Sequence, residues 1–166
     1  IGVAGTRPGQ LTAVGGVAAA PDGSLFVADG ANRIDRFDAG GALLGSFGHP
    51  GNGLGAFAFG SGGGNAAGAG GGLAVSGGSI YVADTGNDRV QRFALDGGRP
   101  VEIVPQGSLA APQGLAVRGT RLLVADDQHH RLAVFDTGGH PLTTAGAGQG
   151  AGPGQLSNPY DVATDA

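Results

Sequence analysis

Apolar and polar positions along the chain follow one recurring pattern, in which a short apolar run ends in Val-Ala-Asp and a polar turn follows. The clearest copy spans residues 80–93, and weaker copies span residues 25–37 and 122–135. In each copy, an Arg after the turn opens a second run in which polar and apolar residues alternate, which is typical of a half-exposed strand. The central turn contains Gly and Asn, which favour tight turns. The pattern therefore predicts a β-hairpin that is made three times.

Each predicted hairpin carries an Asp before its turn and an Arg after it. Opposite charges at these positions can pair across the turn, and a feature that recurs in every repeat is more typical of a scaffold than of a site. We predict that the pairs are structural and tie each turn to its neighbour; a catalytic or ligand role is the alternative. The pairs are Asp29 with Arg33, Asp84 with Arg89, and Asp126 with Arg131.

Shorter apolar runs and glycine-rich turns flank each hairpin and complete a unit of four strands. The Val-Ala-Asp triplets lie 55 and 42 residues apart, and a period in the forties with four short strands is typical of β-propeller blades. The sequence thus predicts an all-β fold of four-stranded antiparallel blades. The predicted division is residues 1–11 as the last strand of a preceding blade, 14–48 as a blade, 49–72 as a Gly-rich linker, 73–105 and 114–146 as blades, and 159–166 as the first strand of a following blade.

The two ends of the chain carry the same linker sequence. Pro-Gly-Gln-Leu occurs at residues 8–11 and again at residues 153–156, and Val-Ala follows six residues after each Leu. The chain therefore holds three whole predicted blades and two pieces, whereas a propeller ring usually has four to eight blades. We expect the ring to be completed by the rest of a longer parent chain or by other copies of this one.

The second hairpin resembles a known repeat. The run Val-Ala-Asp-Thr-Gly-Asn-Asp-Arg-Val-Gln-Arg-Phe at residues 82–93, with Gly-Leu-Ala-Val before it and Pro-Gly-Gln-Leu linkers elsewhere, is similar to the NHL repeat family. The resemblance is strong in the second unit, good in the first and third, and lost over residues 49–72. It implies an NHL-type β-propeller, often six-bladed, of which this chain would be about half. Family members are protein-binding scaffolds, extracellular sensor domains of bacterial kinases, RNA-binding platforms or, in a minority, lyases and hydrolases.

Composition and charge narrow the function classes. The 166 residues include 37 Gly and no Cys, all nine basic residues are Arg, and the net charge is −4. This balance disfavours nucleic-acid binding, which needs a basic surface, and no apolar run is long enough for a membrane helix. Neither a Gly-x-Ser-x-Gly motif nor a phosphate loop occurs. We predict a non-enzymatic module without a cofactor, with an extracellular or periplasmic location as the expectation.

Strand alternation places the hairpin turns and the blade-to-blade linkers on one face, where variable loops favour binding. We expect a protein or glycan to bind there. The third turn carries Asp127, His129 and His130, where the second turn carries Asn87 and Asp88. This cluster could supply metal ligands, contact a partner or be incidental, and we assign it to partner contact without a metal.

Two further features complete the candidate binding residues. Phe57 and Phe59 lie in the glycine-rich linker, where they either pack beneath the ring or form an aromatic recognition loop. Tyr160 stands just before a predicted first strand. In the metal-dependent amidating lyases that the fold resembles, a His at this place points into the central channel, but the four matching positions here are Gly15, Gly71, Gln113 and Tyr160. The alternative function, a metal-dependent lyase or lactonase-type hydrolase with its site in the channel, is correspondingly disfavoured.

Overall fold

The computed structural model describes residues 2–60 and 70–165, and its regular secondary structure is almost entirely β-strand. Within these residues, the only helical element is the 3-10 turn Thr85–Asn87, and no helix is long and apolar enough to cross a membrane. The strands are β1 (Val3–Ala4), β2 (Gln10–Leu11), β3 (Val14–Ala19), β4 (Leu25–Asp29), β5 (Arg33–Phe37), β6 (Leu43–Phe47), β7 (Leu73–Ser76), β8 (Ser79–Asp84), β9 (Arg89–Ala94), β10 (Val101–Val104), β11 (Pro112–Arg118), β12 (Arg121–Asp126), β13 (Arg131–Asp136) and β14 (Pro141–Ala145).

Twelve of these strands form three antiparallel sheets of four strands each, in the order of the sequence. We call β3–β6 the first blade, β7–β10 the second and β11–β14 the third. In each blade, the predicted hairpin supplies the two central strands, and its Asp and Arg stand directly opposite each other in the ladder. The predicted all-β fold of four-stranded antiparallel blades is confirmed.

The hydrophobic core lies between neighbouring blades. Phe26 and Ile34 of the first blade pack with Ile80, Val82 and Phe93 of the second blade. A separate cluster joins the opposite face of the second blade to the third blade. The central strands of the second blade are therefore covered on both sides, which explains why residues 80–83 read as a nearly continuous apolar run.

The first strands of the three blades converge so closely that glycine is required. A Cβ on Gly16 would lie 2.4 Å from the carbonyl oxygen of Gly71, and a Cβ on Gly72 would lie 2.1 Å from the carbonyl oxygen of Gln113. Such a contact is shorter than any real Cβ contact, so any side chain at these positions would push the blades apart. Glycine thus sets the spacing of the inner strands.

Three of the described blade-to-blade linkers share one path. A short parallel pairing closes three of the four described linkers, joining Ala4 to Leu11, Pro50 to Phe57, and Gln149 to Leu156, whereas the shorter linker over residues 105–111 has no such pairing. Residues 3–11 therefore follow this linker path, and the expectation that residues 1–11 belong to the last strand of a preceding blade stays a prediction.

The stretch between the first and second blades, which the sequence predicts as a single linker over residues 49–72, consists of two parts. Residues 49–59 follow the ordinary linker path, and the additional residues lie between Phe59 and Gly70. A Cβ on Gly70 would lie 2.3 Å from the carbonyl oxygen of Phe59, so the two ends of this insertion are adjacent. Residues 61–69 lie outside the described residues.

The final segment runs beside the third blade but joins no ladder. Residues 159–165 form no strand, although the N–H of Gly114 donates to the carbonyl oxygen of Tyr160 at 2.9 Å. A first strand needs a hairpin neighbour for its ladder, and none of the described residues pairs with this segment. Residues 159–165 thus contain no strand, and the expected role of residues 159–166 as the first strand of a following blade stays a prediction.

Candidate functional site

A buried carboxylate at the end of each Val-Ala-Asp run fixes the linker that precedes its blade. The three Asp side chains are fully buried, and one oxygen of each accepts a hydrogen bond from a backbone N–H of the linker. The bonds run from Thr12 to Asp29 at 2.7 Å, from Ala58 to Asp84 at 2.8 Å, and from Ala110 to Asp126 at 2.7 Å.

The Arg of each hairpin completes this attachment, as the second blade shows most fully. Arg89 places its Nε 2.8 Å from Oδ2 of Asp84 and one terminal nitrogen 2.9 Å from Glu102. Its other terminal nitrogen donates to the carbonyl oxygens of Gly53 at 2.7 Å and Ala56 at 3.1 Å. The Asp therefore binds a linker donor while the paired Arg binds linker acceptors. Charge-assisted bonds of this kind are stronger than neutral ones.

The other two blades repeat the arrangement. Asp29 lies 2.9 Å from Arg33, and Asp126 lies 2.6 Å from Arg131. The Arg side chains again donate to linker carbonyl oxygens, which are those of Thr6, Arg7 and Gln10 for Arg33 and that of Ser108 for Arg131.

The turn of the preceding blade holds the other side of each linker. The last turn residue has a left-handed backbone in all three hairpins, with φ of 60° at Asn32, 54° at Asp88 and 53° at His130. Its side chain accepts a backbone N–H of the following linker: Asn32 from Phe59 at 2.6 Å, Asp88 from Ala111 at 2.7 Å, and His130 from Asn158 at 3.2 Å. We call this two-sided attachment the linker clamp.

A second polar position inside the third strand also contributes, and sequence reasoning missed it. Gln91 accepts the N–H of Gly55 at 2.9 Å and donates to the carbonyl oxygen of Ala56 at 2.9 Å. Asp35, the equivalent residue in the first blade, accepts the N–H of Gly9 at 3.2 Å. Both side chains are fully buried. The sequence signal that could have identified Gln91 and Asp35 is a polar residue at a position where the alternation of the strand places a core-facing side chain.

Most of the predicted binding residues in the turns belong to the clamp. Asn87 donates to Asp84 and to the carbonyl oxygen of Gly51 at 2.9 Å. His129 takes the place of Asn87 in the third blade, with its Nδ1 2.9 Å from Oδ2 of Asp126 and 45% of its side chain exposed. Asp88 and His130 bind linkers as described above. The ring of His129 is thus partly open to a partner on this face.

Asp127 is buried without a clear role in the clamp. Its equivalent in the second blade is Thr85, whose hydroxyl accepts the N–H of Gly71 at 3.1 Å and donates to the carbonyl oxygen of Pro112 at 2.8 Å. Asp127 is 6% exposed, and its Oδ1 has no hydrogen-bond partner. Across the described part of the chain, no group of three or more His, Cys, Asp or Glu residues could hold a metal ion.

Phe57 and Phe59 lie in the core, which corrects the expectation that they bind a partner. Their exposures are 0% and 1%, and their rings stack with centroids 4.8 Å apart. Phe57 also contacts Phe93 at a centroid distance of 5.6 Å. The pairing of the linker turns both rings inward, so the aromatic pair anchors the linker beneath the blades.

A cavity of about 180 Å³ lies where the first strands converge. Its wall includes the predicted residue Tyr160, which is 45% exposed, together with Gln113, which is 5% exposed. The lining residues directly follow the linkers, so the cavity opens on the same face as the clamps.

The loop tips beyond the clamp are the exposed parts of this face. The equivalent tip positions are Pro8, Leu54, Gln106 and Pro153, and all four are exposed. Leu54 is a large apolar residue with 58% exposure. The tips at Leu54 and Gln106 therefore differ in chemistry from each other and from the two proline tips, on a common, internally bonded frame.

The shifted carboxyl pKa values occur in turns of the opposite face. The hydroxyl and backbone N–H of Ser24, together with Arg36, lower the pKa of Asp22. The backbone N–H and side chain of His140, with the N–H of Gly138, lower the pKa of Asp136. Both carboxylates close tight turns, and neither lies near the linkers.

Comparison with known sequences gives one family match. Residues 71–93, which contain the first strand and hairpin of the second blade, match the family described as NHL repeat. No curated protein sequence matches the chain.

Solved structures share the fold at low sequence identity. A chain of the nidogen/laminin complex aligns with a TM-score of 0.61 at 17% identity, covering 79% of this chain and 47% of that one. Hydrazine synthase of Kuenenia stuttgartiensis aligns with a TM-score of 0.59 at 17% identity, covering 83% of this chain and 37% of that one. The computationally designed Ika4 protein aligns with a TM-score of 0.57 at 16% identity over 93% of this chain and 81% of its own. The chain thus spans less than half the length of the first two.

Proposed function

We propose that this chain, which has the β-propeller fold and an NHL repeat match over residues 71–93, is a non-enzymatic interaction module that binds a protein partner through its clamped linker face. The observation that carries the proposal is the linker clamp. In the clamp, buried charged side chains and hydrogen bonds to the backbone hold three surface loops in place. The tips of these loops differ in chemistry and remain exposed.

A rigid loop platform suits protein binding for a physical reason. Loops that are ordered before binding lose little conformational entropy when a partner docks, so more of the contact free energy appears as affinity. Leu54 supplies an exposed apolar contact at one tip, and His129 supplies a polar one beside the third blade. The neighbour in the nidogen/laminin complex is part of a protein–protein assembly, which is consistent with this use of the fold. An extracellular or periplasmic location is part of the same proposal.

The test is site-specific photo-crosslinking in the cells that produce the protein. A photoreactive amino acid replaces Leu54 on the linker face or Thr120 on the opposite face, where both residues are exposed. We expect a discrete crosslinked protein from position 54 and none from position 120. Leu54→Asp is expected to abolish copurification of that protein, whereas Thr120→Asp leaves it unchanged. Equal crosslinking from both faces, or none from position 54, would contradict the proposal.

A further inference from the structure

The linker loop that carries Leu54 also contains an Asn-Gly pair that the linker clamp does not use. Asn52 and Gly53 are both exposed. Among the described residues, no group forms a hydrogen bond with the side-chain amide of Asn52 or with the backbone N–H of Gly53. The Asn residues of the hairpin turns differ, because the side chains of Asn32 and Asn87 are both hydrogen-bonded. The fold therefore does not hold the side chain of Asn52 away from the nitrogen of Gly53.

The residue that follows makes Asn52 chemically distinct. Asn52 is the only Asn in the sequence that is followed by Gly. Glycine has no Cβ, so other atoms approach its nitrogen closely and its backbone reaches conformations that are closed to other residues. A Cβ on Gly53 would meet no atom within 4 Å, and its φ lies outside the left-handed region. The fold itself therefore does not require glycine at position 53.

We propose that Asn52 is a site of spontaneous deamidation in the folded chain. The backbone nitrogen of Gly53 loses its proton to base and forms a bond to the side-chain carbonyl carbon of Asn52. The bond from that carbon to the side-chain nitrogen then breaks, and this nitrogen takes up a proton and leaves as ammonia. The product of these steps is a succinimide ring.

Water opens the ring at either of its two carbonyl groups. Addition to the former side-chain carbonyl breaks its bond to the nitrogen of Gly53 and gives aspartate. Addition to the main-chain carbonyl of Asn52 breaks the original peptide bond and gives isoaspartate, in which the main chain runs through the former side-chain carbonyl. The net reaction consumes one water and releases one ammonia, without oxidation or reduction. It needs no partner, so it stands independently of the proposed protein contact.

The isoaspartyl product acts on the linker clamp, because both carbonyl groups that flank the pair are held. The carbonyl oxygen of Gly51 accepts a hydrogen bond from Asn87 at 2.9 Å, and that of Gly53 accepts one from Arg89 at 2.7 Å. Isoaspartate adds one carbon to the main chain between these two points, so the two bonds cannot both keep their present geometry. We expect the exposed tip to shift, whereas the buried Phe57 stays in place.

The test is a time course of NMR spectra of the folded, isotope-labelled chain at physiological pH and temperature. The side-chain amide signals of Asn52 are expected to decay as ammonia is released, while those of Asn32 and Asn87 persist. A methyltransferase that is specific for isoaspartate quantifies that product. Because loss of the Gly53 proton starts the reaction, the decay is expected to be faster at higher pH.

Gly53→Ala is the matched variant, because its Cβ hinders the attack but meets no atom of the fold. We expect it to unfold at the parent temperature and to slow the decay by about tenfold or more, which corresponds to a rise of about 1.4 kcal/mol in the activation free energy. The proposal is overturned if the Asn52 signals last as long as those of Asn32 and Asn87, or if they decay equally fast in Gly53→Ala. Unchanged side-chain signals of Asn87 in the isoaspartyl fraction would overturn the effect on the clamp.

Discussion

The backbone N–H of Ala58 lies 2.8 Å from Oδ1 of Asp84, so the hairpin of the second blade holds the linker that enters it. The same carboxylate binds Arg89, and Arg89 binds two carbonyl oxygens of that linker. The Asp–Arg pair therefore orders a neighbouring loop as well as its own turn. Its recurrence in three blades means that one local sequence pattern builds the whole linker face.

Replacing Asp84 by Ala tests the energetic weight of the clamp. The change leaves Arg89 buried without its main partner, and breaking a buried ion pair in this way costs about 3–5 kcal/mol. Asp165→Ala is the control, because it breaks a pair with Arg118 in which both side chains are exposed, and such pairs contribute about 0–1 kcal/mol. Urea denaturation measures both losses. Similar losses for the two variants would show that the clamp is not a major source of stability.

The unsatisfied carboxylate of Asp127 predicts a stabilising substitution. Asp127→Thr introduces the hydroxyl that Thr85 uses in the second blade to bridge a backbone donor and acceptor. Relief of an unpaired buried oxygen is expected to raise the free energy of unfolding by about 1–3 kcal/mol. The reciprocal variant Thr85→Val removes both bonds and is expected to lower it by a similar amount. A loss of stability in Asp127→Thr would mean that the carboxylate has a partner after all.

Gly72→Ala tests whether glycine is needed where the inner strands of neighbouring blades approach each other. The new Cβ would overlap the backbone of Gln113, and overpacking of this kind costs about 1–3 kcal/mol. Gly45→Ala is the matched control in the outer strand β6, where a Cβ would meet no atom within 4 Å. Thermal unfolding of the two variants should separate them clearly. An unchanged midpoint for Gly72→Ala would show that the inner strands have room to spread.

The lowered pKa of Asp22 predicts a pH dependence with a defined sign. Its folded-state pKa lies below the ordinary value of 3.8, so the carboxylate contributes stability above that value and loses it as the pH falls through the folded-state pKa. Ser24→Ala removes the largest cause, the hydroxyl bond, and is expected to move the pKa of Asp22 upward toward 3.8. Carbon-13 NMR titration of the carboxyl group measures the shift. An unchanged pKa would mean that the backbone N–H of Ser24 and the side chain of Arg36, and not the hydroxyl, lower the pKa of Asp22.

The hairpins and blades were predictable because their signal is local. An apolar run before residues 85–88 and an alternating run after them predict two paired strands, and the period of the Val-Ala-Asp triplets indicates how the sheets repeat. These features depend on side-chain size and polarity alone, which the sequence records directly.

The linker clamp was only half predictable, because its partners are backbone atoms far away in sequence. The side-chain amide of Gln91 donates to the carbonyl oxygen of Ala56, which is 35 residues away in sequence. Every residue type has such a carbonyl group, so the residue at position 56 does not indicate that its carbonyl oxygen is an acceptor. For the same reason, the inward turn of Phe57 was hidden, since it follows from the pairing of Pro50 with Phe57 and not from composition. Backbone hydrogen bonds determine the paths of these loops, and the pattern of apolar residues in the sequence does not indicate such bonds.

Hydrogen exchange at the backbone N–H groups of Thr12, Ala58 and Ala110 tests the central claim most directly. All three lie in surface linkers, yet each donates to a buried Asp. The clamp predicts that they exchange as slowly as strand amides, and that Asp84→Ala accelerates exchange at Ala58 while leaving Thr12 protected. Fast exchange at all three positions in the unmodified protein would contradict the clamp and the rigid face built on it.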